Sequence, residues 1–278
     1  MKMHKLSFVK MAGAGNDFIV IDNRRGQDCF SHKNIAEVVK ALCSRRTGIG
    51  ADGVLVLEKS KRADFKMRIL NADGSVAEMC GNGLRCAALY AENRNRPKGH
   101  RKLTIETKAG IYEAGIIGGS RVRVKMEEPK DVRLNLDINI NSRSIKVNYI
   151  NTGVPHAVIF VHGLDKIDIE SIGSSVRNHR KFMPRGANVD FVEIIDDKNI
   201  KVRTYERGVE GETLACGTGA VASAIIACRV SRVTCHEVNV HTKGGVLKVY
   251  FKKIDDKFRD VYLEGDAKEV YKGEVGYV

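Results

Sequence analysis

The sequence is poor in residues that mark several common classes of protein. It has no Trp, only 4 Pro and 6% aromatic residues among 278. No apolar run approaches the roughly 20 residues that cross a bilayer, and residues 1–5 do not begin a secretory signal. We therefore expect a soluble, cytoplasmic protein without a membrane-spanning segment.

The cysteines form neither a disulfide framework nor a zinc pattern. There are 7 of them, an odd number, scattered along the chain. Cys80 lies too far from Cys86, and Cys228 too far from Cys235, to make the close-spaced ligand pairs of a zinc site. We therefore expect no metal site and reduced thiols, most of them packed in the core.

Two binding functions have little support in the sequence. The Gly13-Ala14-Gly15 turn is not a dinucleotide fingerprint, because the third glycine would fall at position 18, which is Phe18. The net charge of +13 could attract nucleic acid. However, the Lys and Arg residues are dispersed and few aromatic side chains could stack on bases. We expect no nucleic-acid partner, and keep a basic nucleic-acid-binding protein without catalysis as the alternative of another class.

What the sequence does contain is a duplication. The motif Cys-Gly-x-Gly, followed by small residues, begins at Cys80 and again at Cys216. Two further segments recur in the same order, at offsets that drift only from 140 to 136 residues. The matched pairs are residues 12–20 with 152–160, 48–54 with 186–192, and 79–91 with 215–227. The chain is therefore one unit used twice, rather than a solenoid with a period of a few tens of residues.

Each half is predicted to have many strands and few helices. Alternating apolar residues around the turns Lys108-Ala109-Gly110 and Lys243-Gly244-Gly245 predict hairpins, so the pattern favours an α+β fold over a doubly wound sheet. The expected linker is Glu127–Asp131. The expected helices are Ile35–Cys43, Cys80–Asn93, one within Ile169–His179, and Cys216–Arg229.

The repeated motif indicates a pair of acid/base thiols. Cys80 and Cys216 each precede a helix, whose dipole is expected to lower the pKa of the thiol. The backbone amides that follow each cysteine can bind a carboxylate. If both helix ends face one carbon that bears a carboxylate, one thiolate removes its proton and the opposite thiol delivers another. His156, in the repeated glycine turn, is a candidate for tuning a nearby thiol, although a histidine there is by default a core residue.

The five other cysteines are expected to be structural residues, because a buried cysteine without such a context usually packs in a core. These cysteines are Cys29, Cys43, Cys86, Cys228 and Cys235.

Five blocks of the sequence resemble the signature blocks of the diaminopimelate epimerase family. The blocks are Gly13–Phe18, Asn71–Ser75, Met79–Cys86, Tyr205–Gly208 and Ala215–Gly219. The resemblance implies an isomerase that interconverts LL- and meso-2,6-diaminopimelate without a cofactor, the step before lysine and a source of peptidoglycan precursor. Diaminopimelate would be its small-molecule partner, and a homodimer is possible.

The resemblance also implies an architecture. It predicts two pseudo-symmetric domains, each a strongly curved, mostly antiparallel sheet or barrel around a central helix, with the active site in the cleft between them. The domains would be residues 1–128 plus 266–278 and residues 129–265. The last strand, Lys268–Val275, would return to the first domain.

Site residues follow from the resemblance position by position. Cys80 and Cys216 would be the catalytic thiols, and His156 and Glu206 would modulate them. The positions that would bind substrate are Asn16, Asn71, Gly81, Asn82, Asn188, Glu206, Arg207, Gly217 and Thr218.

Two positions depart from the family's pattern. Many members have Gln where this chain has Gly53, and Asn where it has Val154. Both positions contact substrate in the family, so the nearest alternative is a related two-thiol racemase that acts on another amino acid, such as histidine or proline.

Overall fold

The protein is described here by a computed structural model, which covers residues 4–26, 35–95, 102–140, 143–231, 233 and 236–277. It divides into two compact units, residues 1–124 with 265–278 (unit 1) and residues 125–264 (unit 2). These bounds lie four residues before the expected bound at 128 and one residue before that at 265.

Unit 1 is built mainly from strands. Its strands are β1 (His4–Gly13), β2 (Asn16–Asp22), β3 (Gly53–Glu58), β4 (Phe65–Asn71), β5 (Val76–Ala77), β6 (Lys102–Thr107), β7 (Gly110–Gly118), β8 (Arg121–Lys125) and β18 (Lys268–Tyr277). Its helices are α1 (Ile35–Cys43) and α2 (Gly81–Asn95).

Unit 2 has the corresponding elements. Its strands are β9 (Lys130–Ile140), β10 (Arg143–Asn151), β11 (Pro155–Phe160), β12 (Asn188–Ile194), β13 (Asn199–Glu206), β14 (Gly211–Thr213), β15 (Glu237–Thr242), β16 (Gly245–Ile254) and β17 (Lys257–Asp266). Its helices are α3 (Ile169–Arg177) and α4 (Gly217–Val230), with short 3-10 turns at Leu164–Lys166 and Arg180–Phe182.

The two units share one strand order. In unit 1 the order is β18-β1-β2-β3-β4-β6-β7-β8, and in unit 2 it is β9-β10-β11-β12-β13-β15-β16-β17. In both, the third and fourth strands are parallel, as are the fifth and sixth, and the other neighbours are antiparallel. The strand at the edge of the unit 1 order, β18, comes from the end of the chain and pairs with β1, as the resemblance implies. The duplication read from the sequence is therefore a duplication of topology.

A buried helix lies at the centre of each unit. From Leu84 to Ala91, every residue of α2 is buried, and α4 is buried from Thr218 to Cys228. Alanine recurs in both stretches, at positions 87, 88 and 91 of α2 and 220, 222, 224 and 227 of α4, so strands can pack closely around each helix. The strands in contact with α2 are β1–β4, β6, β7 and β18, and those in contact with α4 are β10–β13, β15 and β16.

The second helix of each unit covers the other face of the sheet. Val39 and Leu42 of α1 pack into a cluster with strand residues such as Leu6 and Val54. In unit 2, Ile169 and Val176 of α3 pack into an equivalent cluster. Burial of such side chains contributes roughly 1.5–3 kcal/mol each. The predicted α+β class, with a curved sheet around a central helix, is confirmed.

The predicted helices are found within about two residues of their expected ends, which is the usual scatter of helix boundaries. The predicted linker is too long, because residues 127–129 lie between β8 and β9, whereas Lys130 and Asp131 already belong to β9. That strand was not predicted at all. None of the helices in the described ranges is long and apolar enough to cross a membrane.

Candidate active site

Both motif cysteines lie at the N-terminus of a central helix. The carbonyl of Cys80 accepts from the Leu84 amide at 2.9 Å, and that of Cys216 accepts from the Ala220 amide at 2.9 Å. The Gly83 amide also donates to the Cys80 sulfur at 3.4 Å. Cys80 is partly exposed, whereas Cys216 is only 8% exposed. The amide N–H groups of each first turn have no backbone partner within the helix and can donate to a bound anion.

A chain of hydrogen bonds lies behind Cys216. The Asp190 carboxylate lies 2.7 Å from Nδ1 of His156, whose Nε2 lies 3.0 Å from the Thr218 hydroxyl. That hydroxyl lies 3.5 Å from the Cys216 sulfur. Thr204 donates to the second Asp190 oxygen at 2.8 Å. His156 and Asp190 are both 0% exposed, so water does not screen these contacts. We call Asp190, His156, Thr218 and Cys216 the unit 2 network.

The surroundings of His156 fix its tautomer. The backbone N–H of Arg207 donates to Oδ1 of Asn188 at 2.8 Å, so the Asn188 amide nitrogen faces Nε2 of His156, at 3.4 Å. Nε2 is then an acceptor, and the ring proton is on Nδ1, directed at the Asp190 carboxylate. The Thr218 hydroxyl can therefore donate to Nε2. These bonds hold the imidazole ring in one orientation.

Glu206 also approaches the Cys216 thiol, and the sequence prediction of a lowered pKa is wrong for this cysteine. Burial raises the pKa of Cys216 well above its usual range, and the charges of Glu206 and Asp190 raise it further. The hydrogen bond from Thr218 lowers it, but does not offset the others. Burial likewise raises the pKa of Glu206, while its hydrogen bond with Cys216 and the nearby His156 lower it. Cys216 is therefore a thiol beside a carboxylate that can take its proton.

In unit 1, Asp52, Asn16 and Asn82 stand at the positions that match Asp190, His156 and Thr218 of unit 2. Two of these three side chains are amides. Asn16 donates to the Asp52 carboxylate at 2.9 Å, and the amide group of Asn82 donates to Oδ1 of Asn16 at 2.5 Å. Oδ1 of Asn82 in turn accepts from the Arg85 guanidinium at 2.5 Å. We call Asp52, Asn16, Asn82 and Arg85 the unit 1 network. It has no titratable side chain between its carboxylate and its guanidinium.

Asp52 is held from its other side by an ion-pair cluster. Arg45 donates to Asp52 at 2.6 Å and to Asp17 at 2.9 Å. The buried Lys10 pairs with Asp17 at 2.8 Å and also donates to the Gly50 carbonyl. Burial alone would raise the pKa of Asp17, but the hydrogen bonds and charges of Arg45 and Lys10 lower it to about 2. Arg45, held by Asp17, therefore fixes the Asp52 carboxylate that orients Asn16.

The remaining predicted substrate residues lie near these networks, in more exposed places. Asn71 is exposed at the end of β4, where its amide nitrogen donates to the Ser75 hydroxyl at 2.9 Å. Arg207 is partly exposed after β13, with Nη1 donating to the Arg185 carbonyl at 3.2 Å. Gly81 and Gly217 are the partly exposed first residues of α2 and α4. All of these side chains and amides can be reached from solvent.

Two glycines stand where a side chain would collide. A Cβ at Gly219 would lie 2.4 Å from the Asp190 carboxylate, so the close approach of α4 to the unit 2 network requires glycine. A Cβ at Gly53 would lie 2.6 Å from the Leu70 carbonyl, so this backbone leaves no room for a longer side chain there. The second departure from the family's pattern, Val154, is partly buried in the turn before β11.

Sequence reasoning missed three members of the networks. Asp52, Asp190 and Arg85 were not assigned a role, although each lies in a segment quoted above. The signal was present for the two aspartates, because they occupy the same position in the matched segments 48–54 and 186–192. Arg85 offered no such signal, since Val221 stands at its matched position.

Other cysteines differ from the two at the helix ends. Burial raises the pKa of Cys43 to about 11 and of Cys86 to about 12, which fits packing residues. The prediction of reduced thiols is wrong for Cys228, which is disulfide-bonded, because sequence spacing does not report which sulfurs meet in space. Cys29 and Cys235 lie outside the described residues. Over the described part of the chain, no group of three or more His, Cys, Asp and Glu could hold a metal ion.

A surface cavity of about 430 Å³ lies in unit 1, away from these groups. Parts of β1, β2, α2 and β18 line it, including Tyr90 and Arg94. None of the predicted site residues lines the cavity, so it does not enter the candidate site.

The comparisons with known proteins agree with the repeated cysteine motif. A model of the diaminopimelate epimerase family matches residues 8–132 and 148–270. The chain belongs to the diaminopimelate epimerase family. The two matched segments begin 140 residues apart, which is also the offset of the glycine turns. The chain is thus an isomerase, and the resemblance stated from its blocks is confirmed.

Similar proteins span nearly the whole chain. The diaminopimelate epimerase of Chlorobaculum tepidum is 44% identical over 267 residues, which cover 95% of this chain and 99% of that protein. A Bacillus anthracis phenazine biosynthesis protein of the PhzF family has a TM-score of 0.75 at 20% identity, covering 98% of this chain and 99% of that one. A probable proline racemase from Agrobacterium radiobacter has a TM-score of 0.68 at 17% identity, covering 97% and 92%. The two solved structures show a shared fold.

Proposed function

We propose that this protein interconverts LL- and meso-2,6-diaminopimelate by two-base chemistry, with Cys80 and Cys216 as the acid/base pair. The observation that carries the proposal is that each unit places one cysteine at the N-terminus of its central helix, backed by its own hydrogen-bond network. A thiol that heads a buried helix can exchange a proton beside amides that bind a carboxylate. Membership of the epimerase family supplies the substrate class.

The proton transfers balance without any other reactant. The thiolate of one cysteine takes the α-proton, so a C–H bond breaks and an S–H bond forms. The electron pair left on the carbon delocalises into the substrate carboxylate, which the amides of Gly81, Asn82, Gly217 and Thr218 stabilise. The S–H of the other cysteine then gives its proton to the opposite face of the carbon. The two cysteines end with their protonation states exchanged.

Glu206 and His156 adjust the proton of Cys216. A thiol with a raised pKa is a suitable acid, because it holds its proton until the carbanion forms. When Cys216 must instead act as the base, the Glu206 carboxylate takes its proton. The Thr218 hydroxyl lies 3.5 Å from the sulfur and, when it turns its one proton away from Nε2 of His156, can donate to the thiolate that results. Both directions of the reaction can therefore use the same residue.

The polar residues at the edges of the two networks would hold the substrate. Arg207 offers a guanidinium fork, which suits the distal carboxylate of diaminopimelate. Asn16, Asn71 and Asn188 offer carboxamides to its amino groups. A substrate with a single amino acid centre would not need these groups together, which favours diaminopimelate over proline or histidine. The homodimer implied by the resemblance and the cytoplasmic location expected from the sequence stay predictions.

Solvent deuterium exchange tests this function. Incubation of reduced enzyme with LL-diaminopimelate in heavy water should place deuterium at one α-carbon as the meso isomer forms. We expect Cys80→Ala or Cys216→Ala to abolish epimerisation, because one face then lacks its acid or base. Near-normal turnover in either variant would exclude the two-base mechanism. Exchange with proline or histidine, but not with diaminopimelate, would establish the alternative racemase.

A further inference from the structure

Arg85 occupies an unusual place in unit 1. It is 0% exposed, and its side chain folds back along α2 to the first turn of the helix. There Nη1 donates to the Gly81 carbonyl at 3.3 Å, and Nη2 donates to the side-chain carbonyl of Asn82 at 2.5 Å. Its Nε has no hydrogen-bond partner among the described residues. A guanidinium is therefore buried directly behind the residues that follow Cys80.

The fold alone does not compensate this charge. None of the ion pairs between described residues includes Arg85, and the N-terminus of a helix repels a cation. Burying an unpaired charge in a protein carries a large free-energy penalty. Burial accordingly lowers the pKa of Arg85, while Cys86, Cys80 and Asp266 act in the opposite direction. Among these three, Cys80 is the partly exposed thiol that precedes the first turn of α2, which Arg85 contacts.

Arg85 also fixes the polarity of the unit 1 network. The Asp52 carboxylate can only accept, so the amide nitrogen of Asn16 must face it. The Arg85 guanidinium can only donate, so the carbonyl oxygen of Asn82 must face it. With both ends fixed, the bond from the Asn82 nitrogen to the Asn16 oxygen has one direction. The carboxamides are thus preoriented before any substrate binds.

We propose that Arg85 is the positioning residue of unit 1, which orients the Asn82 carboxamide and provides the positive charge that favours the thiolate of Cys80. The role of Cys80 in this statement rests on the proposed function. Unit 2 has no counterpart, because Val221 stands at the matched position. Near its thiol, unit 1 has a fixed cation, whereas unit 2 has Glu206 and His156.

Chemical labelling of Cys80 tests the proposal without substrate. The rate of alkylation of Cys80 is followed against pH by mass spectrometry of its peptide. In Arg85→Met, we expect the midpoint of the rate profile to rise by about one pH unit, which is a tenfold loss of thiolate below the midpoint. Arg94→Met is the matched control, because Arg94 lies on the same helix but pairs with Glu269 at 3.0 Å, and its midpoint should equal that of wild type.

Two further variants separate charge from geometry. Arg85→Lys keeps the charge but not the planar fork, so we expect a wild-type midpoint with kcat/KM lowered about tenfold or more. Asn82→Asp places a carboxylate beside Arg85 and should raise the midpoint as Arg85→Met does, which keeps the test decisive if Arg85→Met does not fold. An unchanged midpoint in folded Arg85→Met or in Asn82→Asp overturns the proposal. So does a midpoint in Arg85→Lys raised as far as in Arg85→Met. A wild-type enzyme that labels as expected but shows no exchange with diaminopimelate would contradict the proposed function alone.

Discussion

The two units place the same three positions behind their cysteines and fill them with different chemistry. Asp52 matches Asp190 in the repeat, Asn16 matches His156, and Asn82 matches Thr218. In both units the carboxylate contacts the second side chain, which contacts the third. The duplicated backbone thus determines where these side chains meet. The residue types determine whether a proton can move among them.

This difference assigns unlike tasks to the two thiols. Carboxamides do not titrate, so the unit 1 network can orient groups and bind substrate but cannot exchange protons. Imidazole and carboxylate groups do titrate, and in unit 2 they surround a thiol whose pKa is raised. A symmetric fold can therefore hold an asymmetric acid/base pair. Such asymmetry suits a reaction in which one thiol must be ionised while the other is protonated.

The largest effect is expected from Asp190→Asn. The new carboxamide can turn its amide nitrogen toward Nδ1 of His156, which favours the tautomer with the proton on Nε2 and breaks the bond from Thr218. We expect kcat to fall about thousandfold, by analogy with the carboxylate of a catalytic triad. Steady-state epimerisation assays on folded variants would measure the loss.

Asp52→Asn is the matched change in unit 1. Asp52 is 35% exposed, and a carboxamide oxygen at this position can still accept from Asn16, so we expect only about a tenfold loss of kcat/KM. Equal losses of activity in Asp190→Asn and Asp52→Asn would show that the two networks have the same role, which would contradict the difference between the units.

Glu206→Gln should lower kcat about hundredfold, less than Asp190→Asn does, because it removes one proton acceptor but leaves the imidazole network. It should also change the thiol in a defined direction. The charge of Glu206 raises the pKa of Cys216, so its removal should lower the pH midpoint of Cys216 alkylation. Mass spectrometry of the labelled peptide measures this midpoint. A midpoint that stays or rises would show that Glu206 does not act on the thiol.

The smallest effect concerns stability. Gly219→Ala directs a Cβ at a carboxylate 2.4 Å away and should lower the free energy of unfolding by about 1–3 kcal/mol, as overpacking does. Gly83→Ala is the matched substitution, where the new Cβ meets a flexible Leu55 methyl group at 3.1 Å. The better helix propensity of Ala, worth about 1 kcal/mol, should make that variant neutral or more stable. Urea denaturation measures the free energy of unfolding of both variants. Equal losses of this free energy would contradict the explanation.

Much of the fold could be predicted from local patterns. The central helices were predictable because each begins at a Cys-Gly-x-Gly motif and contains several small apolar residues. Strand β9 was missed although Leu134, Leu136 and Ile138 alternate correctly, because its polar residues resemble a linker. Asp131 and Asn135 adopt positive φ angles of 55° within it, which interrupts a regular strand pattern.

Sequence patterns led to most side chains of the two networks, but neither to Asp52, Asp190 and Arg85 nor to the electrostatics. A helix dipole alone predicts a lowered pKa for Cys216, yet burial and the charge of Glu206 outweigh it. Glu206 comes from the end of β13, a different element, so its distance from the thiol cannot be read from sequence. The same holds for Arg85, because only the folded backbone shows that its side chain is buried and turned back toward the first turn of α2.

The most direct test of the central claim is the pH dependence of alkylation at both cysteines in one sample of wild-type enzyme. Midpoints are compared rather than rates, because Cys216 is more buried and reacts more slowly for that reason alone. This account predicts a midpoint for Cys216 well above that of Cys80. Equal midpoints, or a lower one for Cys216, would contradict the claim that the duplicated units tune their thiols differently.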